Sequence, residues 1–273
     1  MARIESLNLL NSTGGKEYLA ETYGKVIQNV AKKTISSRLK NTDLSGTPNA
    51  GTVEAKRFVN AESKAYGTAR ANGKGEAVKA DPVTIKIDTD RELIEEVENK
   101  DVTLYGVDNF ISRKAASHEG SMVRELERAF FTEAATEGTA VTLAGTTPEE
   151  QLEELIQSVE TVKNDYVDGV DRSMIHVVLT PAMYGKVRTY LDKVDMDGKS
   201  EAITMYHGAY VHSSTYMPAD VNAIAMADGS VAQPVLPTVD EADKFPASNA
   251  YHFGLFYSYG TKAVAADLIF VAK

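Results

Sequence analysis

The sequence predicts an α+β fold with a long projecting β-hairpin. Three observations predict it. Helix-period apolar stripes with clear end signals occupy the middle of the chain, around 117–136 and 148–162. Alternating or unbroken apolar runs of strand length surround them, such as "PVTIKI" (82–87) and "MIHVVLT" (174–180). The stretch "VNAESKAYGTARANGKGEAVKAD" (59–81) offers only Val59, Tyr66 and Val78 as large apolar side chains, so it has almost nothing of its own to bury.

From the N-terminus, "GGKEYLAETYGKVIQNVAKKTISSRL" places Tyr18, Leu19, Tyr23, Val26, Ile27, Val30 and Ile35 near a 3.6-residue period, interrupted by Gly24. The turn-rich "KNTDLSGTPNAG" ends it. Residues 1–48 read as an arm or docked helix. Residues 49–90 read as an extended hairpin. Its arms are "GTVEAKRFVN" and "PVTIKIDTD", and Gly67, Gly73 and Gly75 are available for turns at its tip. Arms of about fifteen residues would reach roughly 50 Å at about 3.3 Å per residue. A lone hairpin is barely stable in water, so something outside the segment must hold it.

In "RELIEEVENKDVTLYG", Leu93, Ile94 and Val97 suggest a short helical or irregular piece, and Val102 and Leu104 a strand. The acidic run within it reads as a solvated face. A long helix is expected from Ser117 to Thr136, with Met122, Val123, Leu126, Phe130 and Ala134 as its stripe and Gly138 closing it. Thr147-Pro148-Glu149-Glu150 is the sharpest local signal. It supplies an N-cap, a first-turn proline and the acidic half of a capping box. Leu152, Leu155, Ile156, Val159 and Val162 follow at helical spacing. "SMIHVVLT" reads as a strand covered on both faces. Thr180-Pro181 opens a helix with Met183, Val187, Tyr190 and Leu191 inside. Shorter strands follow. "YHFGLFYSYGTKAVAADLIFVAK" closes the chain as two strands, one alternating through Phe253, Leu255 and Tyr257, the other through Leu268 and Phe270 against Ile269 and Val271.

Composition narrows the function classes. The 273 residues are 43% hydrophobic, enough for a sizeable core and two subdomains. A net charge of −10 argues against a surface built to condense on phosphate. No window approaches the roughly 20 apolar residues of a membrane span, and no signal-peptide pattern opens the chain. Cysteine is absent, which excludes disulfides and thiolate metal sites. A protein made and kept in a cytoplasm is the simplest reading.

The chemical motifs are weak. His118 and Glu119 give half of a zinc-protease helix without the second histidine, and His118 reads as a helix N-terminal residue facing water. His207 and His212 are five apart in an expected strand, which points them to opposite faces. His176 reads as a satisfied core residue. "KVDMDGKSEAIT" has Lys193 and Thr204 where a calcium loop needs acids, and reads as a solvated turn. There is no nucleophile elbow, phosphate loop or dinucleotide fingerprint. No catalytic, cofactor or metal site is assigned. A metal-assisted hydrolase using Glu119, His118 and some of the acidic run is the alternative from another class.

The order of parts carries a resemblance. "GTVEAKRFVNAESKAY…KADPVTIKIDTDRELIEEVENKDV", "ASHEGSMVRELERAFFTEA", "TPEEQLEELIQSVETV", "MIHVVLTPAMYGKVRTYL", "GAYVHSSTYMP" and the closing segment resemble, in this sequence, the parts of the Hong Kong 97-type capsid fold. That fold is shared by tailed-bacteriophage major capsid proteins and encapsulins. The resemblance covers nearly the whole chain. It implies an N-terminal arm (1–48), an extended loop (49–90) and a peripheral domain with spine helix (91–145, completed by 249–273). An axial domain (146–248) is the fourth part. It further implies hexamers and pentamers of this chain closing into an icosahedral head that encloses double-stranded DNA without sequence-specific binding. The place is the virion, assembled in a host bacterial cytoplasm, and the role is structural, without enzyme activity, cofactor or membrane. The loop residues Arg57, Phe58, Lys64, Tyr66, Arg70 and Lys74 are the expected subunit contacts. The chain starts at Met1 without a scaffolding domain, so a separate scaffolding protein is expected, with a portal protein and room for a decoration protein. Lys64 and Lys74 lie where some relatives cross-link, but no motif marks a partner asparagine. An encapsulin-type nanocompartment shell is the alternative, compatible with the helix around Tyr18 to Val30.

Overall fold

The computed structural model describes residues 6–48, 51–75, 77–98, 106–194, 204–244 and 249–273. A 3-10 turn (Leu7–Asn11) leads into α1 (Thr13–Lys33) and α2 (Ser36–Leu39). Then come β1 (Leu44–Ser45), β2 (Thr52–Phe58), α3 (Thr68–Ala71), β3 (Ala80–Lys86) and β4 (Thr89–Glu98). The long helix α4 (Val107–Glu137) precedes β5 (Thr139–Val141), α5 (Pro148–Glu160), β6 (Ile175–Leu179) and α6 (Pro181–Val194). The rest is strands: β7 (Met205–Tyr206), β8 (Ala209–Ser213), β9 (Ala223–Ala227), β10 (Val231–Ala232) and β11 (Val235–Val239), then β12 (Asp243–Lys244), β13 (Ala250–Tyr259), β14 (Lys262–Ala263) and β15 (Ile269–Ala272).

The chain divides into two compact units. The first joins Met1–Arg38, Ile87–Ala129 and Pro234–Gly260. Its sheet is centred on β13, which pairs antiparallel with all of β4 on one side and with β11 and β12 on the other. The period of two divides each strand. On one face, Phe253, Leu255, Tyr257 and Val97 are buried. From that face Arg91 donates to Glu125 of α4, Glu95 accepts from Lys114, and the Tyr257 and Tyr259 hydroxyls meet the same Glu125. Helix α1 begins at Ser12, whose hydroxyl accepts from the Gly15 amide. It meets α4 along a polar seam. The Tyr23 hydroxyl lies 2.9 Å from His118 Nδ1, Asn29 and Lys33 reach Glu119, and the Ser36 amide donates to Glu127 at 2.8 Å.

The second unit joins Leu39–Lys86, Phe130–Gln233 and Thr261–Lys273. Its six-stranded sheet runs β5-β15-β9-β6-β8-β7. Leu152, Leu155, Ile156 and Val159 of α5 and Met183 and Val187 of α6 pack on Ile175, Val177, Leu179 and the alanines of β9 to form the core. Each large aliphatic side chain buried there contributes about 2 kcal/mol before entropy is counted. Thr147 and Glu150 close the predicted capping box in both directions. The hairpin β2–β3 belongs to this unit and carries β1 as a third strand.

Several expectations are corrected. The segment around Leu93 to Val97 is the ten-residue strand β4, not a helical or irregular piece. Its helix-facing side is half ionic, because Arg91 and Glu95 find counter-charges on α4. That hides the apolar alternation expected of a buried strand face. Helix α4 begins at Val107, ten residues before the expected Ser117. Val107, Ile111 and Ala115 extend the buried stripe at a spacing of four through an otherwise polar stretch. His118 is therefore mid-helix and 4% exposed, not at a watery N-terminus. The two closing strands go to different sheets. β13 joins β4 in the first unit, and β15 lies between β5 and β9 in the second. Helix α1 runs straight through Gly24. The expected strand at Val102 and Leu104, and most of the calcium-like segment, lie outside the described residues.

Candidate functional site

The feature that stands out is the hairpin and the way it is rooted. β2 and β3 pair from Thr52↔Lys86 to Phe58↔Ala80. Val53, Ala55 and Ile85 turn inward and are buried, so the lower hairpin has a core. Above it the ribbon is tied to its own subunit by polar contacts. The Arg57 guanidinium forms a two-pronged bond with the Asp267 carboxylate, at 2.7 and 2.9 Å. It also lies 4.1 Å from the centre of the Tyr166 ring. Asn164 donates to the same Asp267, the Tyr166 hydroxyl donates to Asp81 across the hairpin, and the Asn60 amide donates to the Asp165 carbonyl at 2.8 Å. Burial pushes the Asp267 carboxyl up, but Arg57 and Asn164 outweigh it and hold the group below the usual aspartate range.

Asn60 is the last residue before the exposed part of the ribbon. Nearly every described residue from 61 to 79 is exposed, broken only by the four-residue helix α3. Tyr66 is 98% exposed, Val78 84% and Phe58 56%. The six expected contact residues thus fall into two groups. Arg57 is engaged within its own subunit. Phe58, Lys64, Tyr66, Arg70 and Lys74 face solvent or the tip. Asp267, Tyr166 and Asn164 were missed as partners of Arg57. Nothing in the sequence links a hairpin arginine to an aspartate 210 positions away.

The histidines form pairings that the sequence did not join, among them His252 with Asp240 at 2.7 Å. His118 bridges the Tyr23 hydroxyl and Glu95, at 2.9 and 3.3 Å. Burial pushes its pKa down, partly opposed by Glu95. The Tyr23 and His118 members of this hydroxyl–imidazole–carboxylate line are buried while Glu95 stays partly exposed, and the line serves to dock α1. His176 Nδ1 lies 3.1 Å from His212 Nε2, and its ring stacks on Tyr210. Parallel pairing of β6 with β8 sets Val178 beside His212 and so brings the two imidazoles to one face. His207 lies instead in the turn before β8, at positive φ. Among the described residues, no three His, Asp or Glu side chains converge on one point. No described helix is long and apolar enough to cross a membrane.

A hairpin rooted on one subunit with its tip held out, a long helix under an antiparallel sheet, and a second helix-covered sheet together define the Hong Kong 97-type capsid fold. Solved shells share it. A chain from Mycobacterium phage Che8 superposes with a TM-score of 0.65 over 88% of this chain and 91% of its own, at 16% identity. The capsid of cyanophage P-SCSP1u gives 0.61 over 88% and 87%, at 13% identity. A virus-like particle from Pyrococcus furiosus gives 0.59 over 94% and 100%, also at 13%. No protein-family model and no curated protein sequence matches the chain.

Proposed function

We propose that this chain is the major capsid protein of a tailed bacteriophage, assembling into the icosahedral head that encloses its double-stranded DNA. One observation carries the reading: a ribbon clamped at Arg57 to its own subunit and then left for some twenty residues without a surface to lie on. Laid over a neighbouring subunit, that ribbon gains partners for Tyr66, Val78 and its backbone. Each such contact is weak, and closure of a symmetric shell multiplies them. The acidic balance suits a container whose genome is driven in rather than attracted. The role is structural, the place is the virion, and hexamers and pentamers are the building units. The arm, extended loop, peripheral domain and axial domain keep their proposed roles. A separate scaffolding protein and a portal are the proposed partners, and the outer surface leaves room for a decoration protein.

The test is electron microscopy of the expressed chain, alone and with a candidate scaffold. Closed shells are expected. Deleting residues 61–77 should leave a folded, soluble subunit that forms none. Normal, salt-resistant particles from that deletion would contradict the reading. The second reading, a nanocompartment shell of the same fold, draws on the likeness to the Pyrococcus furiosus particle, which spans that whole chain. Neighbouring genes discriminate: terminase and portal for the first, a packaged enzyme for the second.

A further inference from the structure

Away from the hairpin, the second unit sets two of the chain's five histidines side by side. On β6, Ile175, Val177 and Leu179 belong to the core under the helices, so His176 points to the opposite face of the sheet. On β8, Ala209 and Val211 belong to the same core, which sends Tyr210 and His212 to the face that carries His176. The parallel ladder puts His176 beside Tyr210 and Val178 beside His212, so the two imidazoles are diagonal neighbours on adjacent strands. His176 Nδ1 lies 3.1 Å from His212 Nε2. The ring planes differ by 14° and the centroids stand 5.4 Å apart, so the rings meet edge to edge, nitrogen toward nitrogen. Both histidines are half-buried. Register places Met205 beside Tyr210 on the same face, and these are 51% and 38% exposed, so solvent and its ions reach the pair.

Two neutral imidazoles that face each other share one proton, one nitrogen donating and the other accepting. A metal ion in the proton's place would use both lone pairs. With metal–nitrogen bonds of about 2.0–2.1 Å, two neighbouring imidazole ligands stand about 2.9 Å apart at a right angle and about 3.3 Å apart at a tetrahedral one. The separation of 3.1 Å falls between these values. The rings need only tilt about their side-chain bonds, and the strands that carry them stay in place. The geometry points to a site for one first-row transition-metal ion, copper(II) above the others, held by His176 Nδ1 and His212 Nε2. Divalent affinity for nitrogen ligands rises along the row to copper and falls again at zinc, which sets that preference. Among the described residues no third His, Asp or Glu joins the pair, so water fills the remaining positions and the ion is exchangeable. Burial favours the neutral, ligating form of His176, opposed only in part by the charge of Asp228. That same charge, in a chain of net charge −10, favours the arrival of a cation. Both ligands belong to one chain, so the site stands apart from the shell reading.

The test uses the full-length chain without a histidine tag, titrated with copper sulfate against glycine as a weak competitor. One ion per chain is expected, and pulsed electron paramagnetic resonance should show the remote nitrogens of two imidazoles on it. His176→Gln and His212→Gln should each weaken binding about tenfold or more, because the second ligand no longer acts at high effective concentration, and should leave one coupled imidazole at most. His207→Gln should change neither readout, since that residue lies in the turn before β8. Nickel and zinc should compete for the same site more weakly than copper binds it. The wild-type spectrum is decisive without any variant: copper carrying no imidazole pair overturns the site, even where a substituted chain misfolds. Copper bound equally by wild type and by the double variant His176→Gln with His212→Gln also overturns it, and leaves the pair as a hydrogen bond between two strands.

Discussion

Arg57 and Asp267 lie 210 positions apart and meet in a two-pronged ion pair, half-sheltered from water, at the root of the hairpin. A ribbon whose tip has no surface of its own is thereby given a fixed starting direction. The neighbours make the site specific. Tyr166 lies against the guanidinium, Asn164 donates to the Asp267 Oδ2 that one prong of Arg57 also reaches, and Asp81 on the returning strand accepts from Tyr166. Under the proposed shell reading, preorganising the root lowers the entropy that docking of the tip would cost.

Removing the clamp should loosen the root before it unfolds the subunit. Asp267→Ala is expected to cost about 1–2 kcal/mol, a charged hydrogen-bond pair discounted for its partial exposure. Because the folded Asp267 pKa is depressed, its contribution is present above the unfolded value of 3.8 and is lost as pH falls through the folded value. Arg57→Lys keeps the charge but not the fork, and should recover only part of the loss. Urea midpoints at pH 7 and pH 3, with limited proteolysis of segment 60–79, measure both effects. Equal proteolysis of wild type and Asp267→Ala would remove the clamp from the account.

Gly254 is fixed by close approach. A β-carbon there would sit 2.0 Å from the carbonyl oxygen of Leu93, which is backbone and has nowhere to move within the β4–β13 ladder. Gly254→Ala should therefore cost about 3 kcal/mol, at the upper end of overpacking. The damage should fall on this sheet, read by hydrogen exchange as faster opening of β4 and β13 amides with the β6 amides protected. An unchanged melting temperature would mean that the two strands can separate cheaply.

The parts legible in the sequence are those whose physics is local. The Thr147 capping box, the α5 stripe and the alternation of β3 can each be read within a dozen residues. Thr147→Ala should lower stability by about 1 kcal/mol, visible as a small drop in melting temperature. What stayed hidden depends on distant partners. β4 looks irregular until α4 supplies Lys114 and Glu125 to its charges. The first ten residues of α4 look polar until Val107 and Ile111 are seen to be buried. The tip of the hairpin was legible for the opposite reason. Its lack of large apolar residues is a local property and survives folding unchanged.

The seam between α1 and α4 contains a carboxylate placed at a cost. Glu127 is 2% exposed and accepts the Ser36 amide at the start of α2. Burial pushes its pKa above the ordinary 4.5, and the hydrogen bonds from Ser36 and Ile35 offset this only in part. The sign follows from proton linkage. Below pH 4.5 the group is neutral in both states and carries no penalty. As pH rises toward the folded value, the unfolded chain ionises first, and stability is lost. Glu127→Gln cannot ionise and escapes that loss. Its stability relative to wild type should therefore improve as pH rises above about 4.5 and level off once the folded carboxyl has ionised too, whatever the offset at pH 4 caused by exchanging an oxygen for an amide. Denaturant unfolding of the full-length pair from pH 4 to pH 7 gives the slope. A difference that stays flat would place Glu127 in water-like surroundings and leave α2 docked by its apolar contacts alone.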